Sequence, residues 1–121
     1  MFVSIYVFGI KVDALLDTGS TISVISPKLF DKIAPDLKPE ISPAENTLRM
    51  ANGDTSTPQG KACCQVVIEG TELWPLMTIA DIEVPVILGY DFMFTHNCSL
   101  DIGNSRLRLG RKYIKCHLES Q

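Results

Sequence analysis

No stretch of this 121-residue chain is long and apolar enough to span a membrane. Nor does the N-terminus carry a basic segment leading into a long apolar core and a small-residue cleavage site. A soluble, unsecreted chain with no membrane partner is expected. Basic residues are not in excess: eleven Lys and Arg stand against fourteen Asp and Glu, a net charge of −3. That gives no basic footprint, so no nucleic-acid partner is expected. Cysteine occurs only four times, at Cys63, Cys64, Cys98 and Cys116. The adjacent pair would point to opposite faces of a strand, and the spacing of the four fits no zinc pattern. Pairing is open in principle, but free thiols in a reducing compartment are the expectation, with no metal and no cofactor. Length excludes a two-lobed enzyme and leaves a single domain over residues 1–121. Repeats and low-complexity segments are absent.

The chain does contain two short apolar runs that end abruptly. Ala14-Leu15-Leu16 is followed at once by Asp17-Thr18-Gly19-Ser20, and Val86-Ile87-Leu88 by Gly89. An all-apolar triplet reads as a strand buried on both faces, so an acid directly after it sits at the edge of a core and needs a reason. A turn is one such reason, since Asp caps turns through its side chain and Gly allows positive φ.

Around these runs the signals are mostly those of strands. Phe2 to Val7 and Lys11 to Leu16, interrupted at Gly9, predict a hairpin rich in β-branched and aromatic residues. Thr21 to Ser26 alternates and predicts a strand. Ser26-Pro27 reads as an N-cap followed by Pro at the first helical position, opening a short helix through Ile33. The Pro-containing segment from Asp36 to Glu45 predicts an irregular loop. Asn46 to Ile68 predicts one long hairpin, with Thr47 to Met50 going out, Asn52-Gly53 turning, and Lys61 to Ile68 returning. Glu69 to Glu72 predicts a further turn, and Leu73 to Ala80 and Val84 to Leu88 two more strands. Tyr90 to His96 has helical spacing, with Asn97 as a positive-φ cap and His96 favoured beside the negative helix end. Ser99 to Ile102, Arg106 to Leu109 and Tyr113 to Leu118 complete an all-β, closed or sandwiched architecture.

Asp17-Thr18-Gly19, the Asn52-Gly53 hairpin and Val86-Ile87-Leu88-Gly89, in that order and spacing, resemble the retropepsin-like aspartic protease family from about Phe2 to about Leu109. The resemblance implies a closed acid-protease barrel with one or two short helices and a flap hairpin. It implies Asp17 as catalytic acid/base, Thr18 bracing the loop across a dimer axis, and Gly19 letting the backbone approach carboxylate and substrate. Ser20, Thr21 and Ile22 fall where the family binds substrate, as do Ala51, Asn52, Gly53 and Asp54 at the flap tip, and Ile87 in the second motif. At Ser20 many viral relatives carry Ala; the hydroxyl is expected to donate to the outer oxygen of Asp17. The run Gly89-Tyr90-Asp91-Phe92-Met93 is similar to that of Ty3/gypsy-type retrotransposon proteases.

Amide hydrolysis without metal or covalent nucleophile needs both a base for water and an acid for the leaving nitrogen, which two carboxylates can supply. The chain holds one Asp-Thr-Gly and no second copy. The resemblance therefore implies a homodimer, one Asp17 per chain, cutting a peptide or polyprotein in the cytoplasm or within virus-like particles. Only 16 residues precede Asp17, so pairing is expected to lean on Arg111 to Leu118 or on residues outside this sequence. A domesticated host protease with a cellular substrate, and a non-catalytic dimerisation or peptide-binding module, are the alternatives.

Overall fold

The structure is a computed structural model in which residues 1–44, 48–49, 55–56 and 58–119 are described. The chain opens with a hairpin, β1 (Phe2–Val7) against β2 (Ile10–Leu16), with Val7 opposite Ile10. Phe8 and Gly9 close it with φ of 46° and 83°, the positive pair that a two-residue hairpin turn requires. Alternation decides its faces: Val3, Ile5, Val7, Ala14 and Leu16 are buried, while Tyr6 points out.

After β2 come β3 (Val24–Ile25) and α1 (Pro27–Asp31). Ser26 caps α1 as expected, its Oγ accepting from Leu29 N at 3.1 Å, and the helix buries Leu29 and Phe30. Then follow β4 (Leu48–Arg49), β5 (Thr55–Ser56), β6 (Gly60–Cys63), β7 (Val66–Ile68), β8 (Thr71–Leu73), β9 (Leu76–Ile79) and β10 (Val86–Leu88). The chain ends with α2 (Tyr90–Thr95), β11 (Cys98–Asp101), β12 (Arg106–Leu109) and β13 (Lys112–Lys115).

Eight strands form one sheet in the order β6-β9-β3-β10-β2-β1-β7-β8. Only Cys64 and Gln65 separate β6 from β7, yet these strands lie near opposite ends of that order. Such a short link is possible only if the sheet curls until its ends approach. The link is bonded on both sides: Cys64 N donates to Pro75 O at 3.0 Å, and Phe8 N to Gln65 O at 3.3 Å. The curl encloses a core that includes Ile5, Ile25, Ile68, Met77, Ile79, Leu88 and Phe92. A separate sheet, β11-β12-β13, adds Leu107, Leu109 and Ile114 to the same core. Phe2 and His117 exchange two backbone hydrogen bonds, of 2.7 and 3.0 Å, which tie the two ends of the chain together.

Four sequence expectations change. The return arm is not continuous: β6 pairs with β9, and β7 with β1 and β8, because the chain turns at Cys64-Gln65 to cross between sheet ends. Leu73 to Ala80 is split at Trp74-Pro75, where Pro75 has no N–H to give a ladder. Thr21 to Ser26 is extended only at Val24–Ile25, since the backbone before it is bonded to the start of α2 instead. The segment 36–45 is not wholly irregular: Ser42 and Lys61 exchange two backbone hydrogen bonds of 2.8 Å. A Cβ at Gly60, whose φ is 152°, would lie 2.7 Å from Ser42 O. β4 pairs antiparallel with β5, Arg49 opposite Thr55, so the outgoing arm of the expected hairpin meets Thr55–Ser56 and not the expected return arm Lys61 to Ile68. The four thiols are free, with Cys63, the last residue of β6, exposed and Cys64, in the link that follows, buried.

Candidate active site

β10 lies between β2, to which it is parallel, and β3, to which it is antiparallel; Ile87 is opposite Leu15 on one side and Val24 on the other. Parallel neighbours end side by side, so the chain leaves β2 and β10 at the same place. Asp17 N donates to Leu88 O at 3.1 Å. β3 runs the other way, so the segment entering it, Ser20 to Ser23, lies there too. Three pieces of chain far apart in sequence thus meet at Asp17.

The Asp17 loop is a tight turn closed on itself. Gly19 N donates to Asp17 Oδ1 at 3.0 Å, and Ser20 N to Asp17 O at 3.1 Å. The carboxylate is half-buried, while Thr18 and Gly19 are exposed. Among the described residues nothing bonds to its second oxygen. A Cβ at residue 19 would lie 3.2 Å from Oδ1, a contact tight enough to displace the carboxylate.

Beneath the loop, Gly89 is there for space and not for conformation. Its φ of −91° suits any residue, but a Cβ would fall on Ile22 O and stand 2.7 Å from both Ile22 C and Ser20 O. This closeness lets Tyr90 N donate to Ser20 O at 2.8 Å and Asp91 N to Thr21 O at 3.3 Å. Ser23, only 1% exposed, is the keystone. Its Oγ accepts from Gly89 N at 2.9 Å and donates to Asp91 Oδ1 at 2.7 Å, while its own N donates to Asp91 Oδ2 at 3.2 Å. Asp91 Oδ1 also accepts from Phe92 N at 2.6 Å, as a carboxylate in a first helical turn should.

Of the residues assigned from sequence, Asp17, Thr18, Gly19, Ser20, Thr21 and Ile22 come together here. Ser20 is corrected in its role: its hydroxyl donates to Ile22 O at 2.7 Å and not to Asp17, because that carbonyl lies within reach two residues on. Ile87 is half-buried beside Leu15, on the face away from the core that holds Val86 and Leu88. Ala51, Asn52, Gly53 and Asp54 lie outside the described residues. Ser23 and Asp91 were missed. The available signal was Asp91 two residues past Gly89, but its partner sits 68 positions away and only the strand order joins them.

One ionisable group nearby, His96, is shifted chiefly by burial. His96, at the C-cap of α2, lies 4.8 Å from the Phe92 ring, centroid to centroid. Burial holds it below its usual value of 6.5, partly opposed by Asp91. The helix-end argument, which favours the cation, is outweighed by desolvation. Among the described residues no group of three or more His, Cys, Asp or Glu is placed to hold a metal ion.

The comparisons with known proteins fit this geometry. The sequence profile of a family described as aspartyl protease matches residues 3–92. The chain belongs to that family. The chain is also similar in structure to the retroviral protease-like domain of Ddi1 from Leishmania major, with a TM-score of 0.77 at 14% identity. That match covers 95% of this chain and 91% of the other. Against EIAV protease complexed with the inhibitor HBY-793 the TM-score is 0.68 at 19% identity, covering 84% of this chain and 92% of that one. The fold is retropepsin-like: a curled sheet with two short helices. A search of curated proteins by sequence gives no significant match.

Proposed function

We propose that the protease is one half of a homodimeric aspartic endopeptidase in which each chain contributes Asp17 to a shared dyad. The observation that carries this reading is the Asp17 carboxylate itself. It is held half-buried on a turn clamped by Leu88 O and Gly19 N, with one oxygen unbonded among the described residues, and the sequence has one Asp-Thr-Gly. One carboxylate of the pair takes a proton from the attacking water while the other, protonated, gives one to the leaving nitrogen. The β4-β5 hairpin is the flap that closes over an extended peptide. A retroelement polyprotein is the substrate we favour, on the likeness of Gly89-Tyr90-Asp91-Phe92-Met93 to Ty3/gypsy-type proteases.

The test is hydrolysis of a peptide library across a dilution series, with and without a statine-type inhibitor, by wild type and Asp17→Asn. Inhibitor-sensitive cleavage that is lost in Asp17→Asn, with specific activity falling on dilution, is expected. A rate per chain that stays constant to nanomolar protein while the mass remains monomeric refutes the shared dyad. No cleavage by wild type at any concentration refutes the enzyme.

A further inference from the structure

The net charge of −3 conceals a division along the chain. Residues 1–97 hold six Lys and Arg against twelve Asp and Glu, whereas residues 98–121 hold five against two. The fold gathers those five onto the three-stranded sheet and its β12-β13 turn. In β11-β12-β13 directly paired residues point to the same side. One row across the sheet is therefore Asp101, Arg106 and Lys115, and the next is Ser99, Arg108 and Tyr113. Leu107 and Ile114, in the alternate row, are buried, so the charged rows form the solvent face.

The side chains on this face are arranged and not merely crowded. Arg106 Nε donates to Asp101 Oδ2 at 2.8 Å, and its guanidinium lies over the Tyr113 ring, 4.0 Å from the centroid. Arg108 is aimed by two bonds, Nε to Ser99 Oγ at 3.0 Å and Nη1 to Gly110 O at 2.7 Å. Asp101 is the only acid within ion-pair distance of this face among the described residues. Arg106 is thereby neutralised, but Arg108, Arg111 and Lys115 are not. Tyr113 remains 55% exposed, which leaves ring surface for a partner.

We propose that this face binds single-stranded nucleic acid, with Arg108, Arg111 and Lys115 on phosphates and Tyr113 stacked on a base. Arg106 takes one face of the half-exposed Tyr113 ring, with Arg108 across the sheet and Arg111 and Lys115 two residues to either side of it along the chain, an arrangement that suits a chain alternating phosphate with flat base. A lipid surface would call for apolar side chains on the same face, and an acidic protein would leave the ring without a role. All four side chains come from one chain, so the surface does not depend on catalysis.

The test is fluorescence anisotropy of a labelled oligouridylate with the full chain. Three phosphate contacts on a single strand predict a salt slope of about −2, hence a loss of about ninefold between 50 and 150 mM salt. Tyr113→Ala should weaken binding roughly tenfold. Arg111→Gln with Lys115→Gln changes two exposed side chains that carry no hydrogen bond or ion pair among the described residues, so folding cannot account for its effect. It should bind several-fold more weakly and lower the salt slope. Any of four results overturns the proposal: no binding at 50 mM salt, unchanged affinity in either variant, equal affinity for polyglutamate or for phosphatidylserine vesicles, or self-association at low salt that the oligonucleotide does not disturb.

Discussion

Gly89→Ala is the sharpest perturbation the structure offers, because backbone and not side chains stands in the way. The new methyl would fall on Ile22 O, 2.7 Å from Ile22 C and Ser20 O. Neither carbonyl can yield alone: Ser20 O is held by Tyr90 N at 2.8 Å, and Ile22 O by Ser20 Oγ at 2.7 Å. Overpacking of this kind costs about 1–3 kcal/mol. Moving β10 away also strains the bonds from Gly89 N to Ser23 and from Tyr90 N to Ser20, about 1 kcal/mol each. The sum, about 3–5 kcal/mol, is a large share of the roughly 5–15 kcal/mol available to a domain. With a urea slope of about 2 kcal/mol/M, the midpoint should fall by about 2 M. Gly9→Ala is the control. Nothing lies within 4 Å of its added methyl, but φ is +83°, so only the left-handed penalty of about 1–2 kcal/mol applies. Where Gly89→Ala is still folded by circular dichroism, peptide hydrolysis should fall by about a hundredfold, since the displaced turn carries Asp17. Urea denaturation of the three proteins decides. A Gly89→Ala midpoint equal to wild type, or higher than that of Gly9→Ala, would refute the close approach.

Two further predictions concern titrating groups. Burial pushes the Cys64 thiol up to about 12 and Cys98 up to about 11, and raises Cys116, while Cys63 is exposed. At pH 8 a disulfide reagent should therefore modify one thiol rapidly and the other three only on denaturation, and two fast thiols in the native protein would contradict this burial. His96 is held below 6.5 by burial, so the unfolded chain takes up a proton that the folded one resists. Stability from this group is intact above pH 6.5 and lost as pH falls below it; urea midpoints at pH 8, 6 and 5 should decline more steeply in wild type than in His96→Gln, and equal slopes would refute the assignment.

Local chemistry made the ends of elements legible in the sequence. Ser26-Pro27 started a helix, Phe8-Gly9 and Glu69-Gly70 turned hairpins, and Asn97 took the positive φ, here 53°, that ends α2. Each depends on residues a few positions apart. The failures were of partnership. Lys61 to Ile68 reads as one strand because nothing local says that its two halves pair at different ends of a curled sheet. Ser20 was aimed at Asp17 because its neighbour's carboxylate is visible in the sequence, while the competing Ile22 carbonyl depends on how the turn bends. Ser23 and Asp91 were invisible for the same reason: a buried serine is an ordinary residue until β10 brings a carboxylate to it. The net charge averages an acidic body with a basic terminal sheet, so the total hides the division.

The hydrogen-bond account of the catalytic loop leads to the last prediction. Leu88 O, Ser20 O, Thr21 O and Ile22 O are all occupied within the chain. Gly19 N and Ser20 N are both donated back to Asp17. Among the groups of the loop that carry no bond among the described residues are the second Asp17 oxygen and the hydroxyl of Thr18, which is exposed. These two stand next to each other on the exposed side of a turn whose carbonyls are held from within, free to meet something outside the chain. In the proposed dimer the oxygen meets water and substrate, and the Thr18 hydroxyl meets its partner across the axis. Thr18→Ala should therefore leave the monomer's stability within about 0.5 kcal/mol, as for any exposed side chain without a bond. Pairing should weaken, because each chain loses the hydrogen bond that its Thr18 hydroxyl makes across the axis, about 1 kcal/mol apiece, and two-fold symmetry doubles the loss. A loss of about 2 kcal/mol raises the dissociation constant roughly thirtyfold. Sedimentation and the protein concentration at half-maximal specific activity should both move by that factor while the rate at saturating protein changes little. An unchanged half-activity concentration, or a urea midpoint that drops for the monomer, would mean that Thr18 braces its own chain and that the two unspent groups do not mark a partner's position.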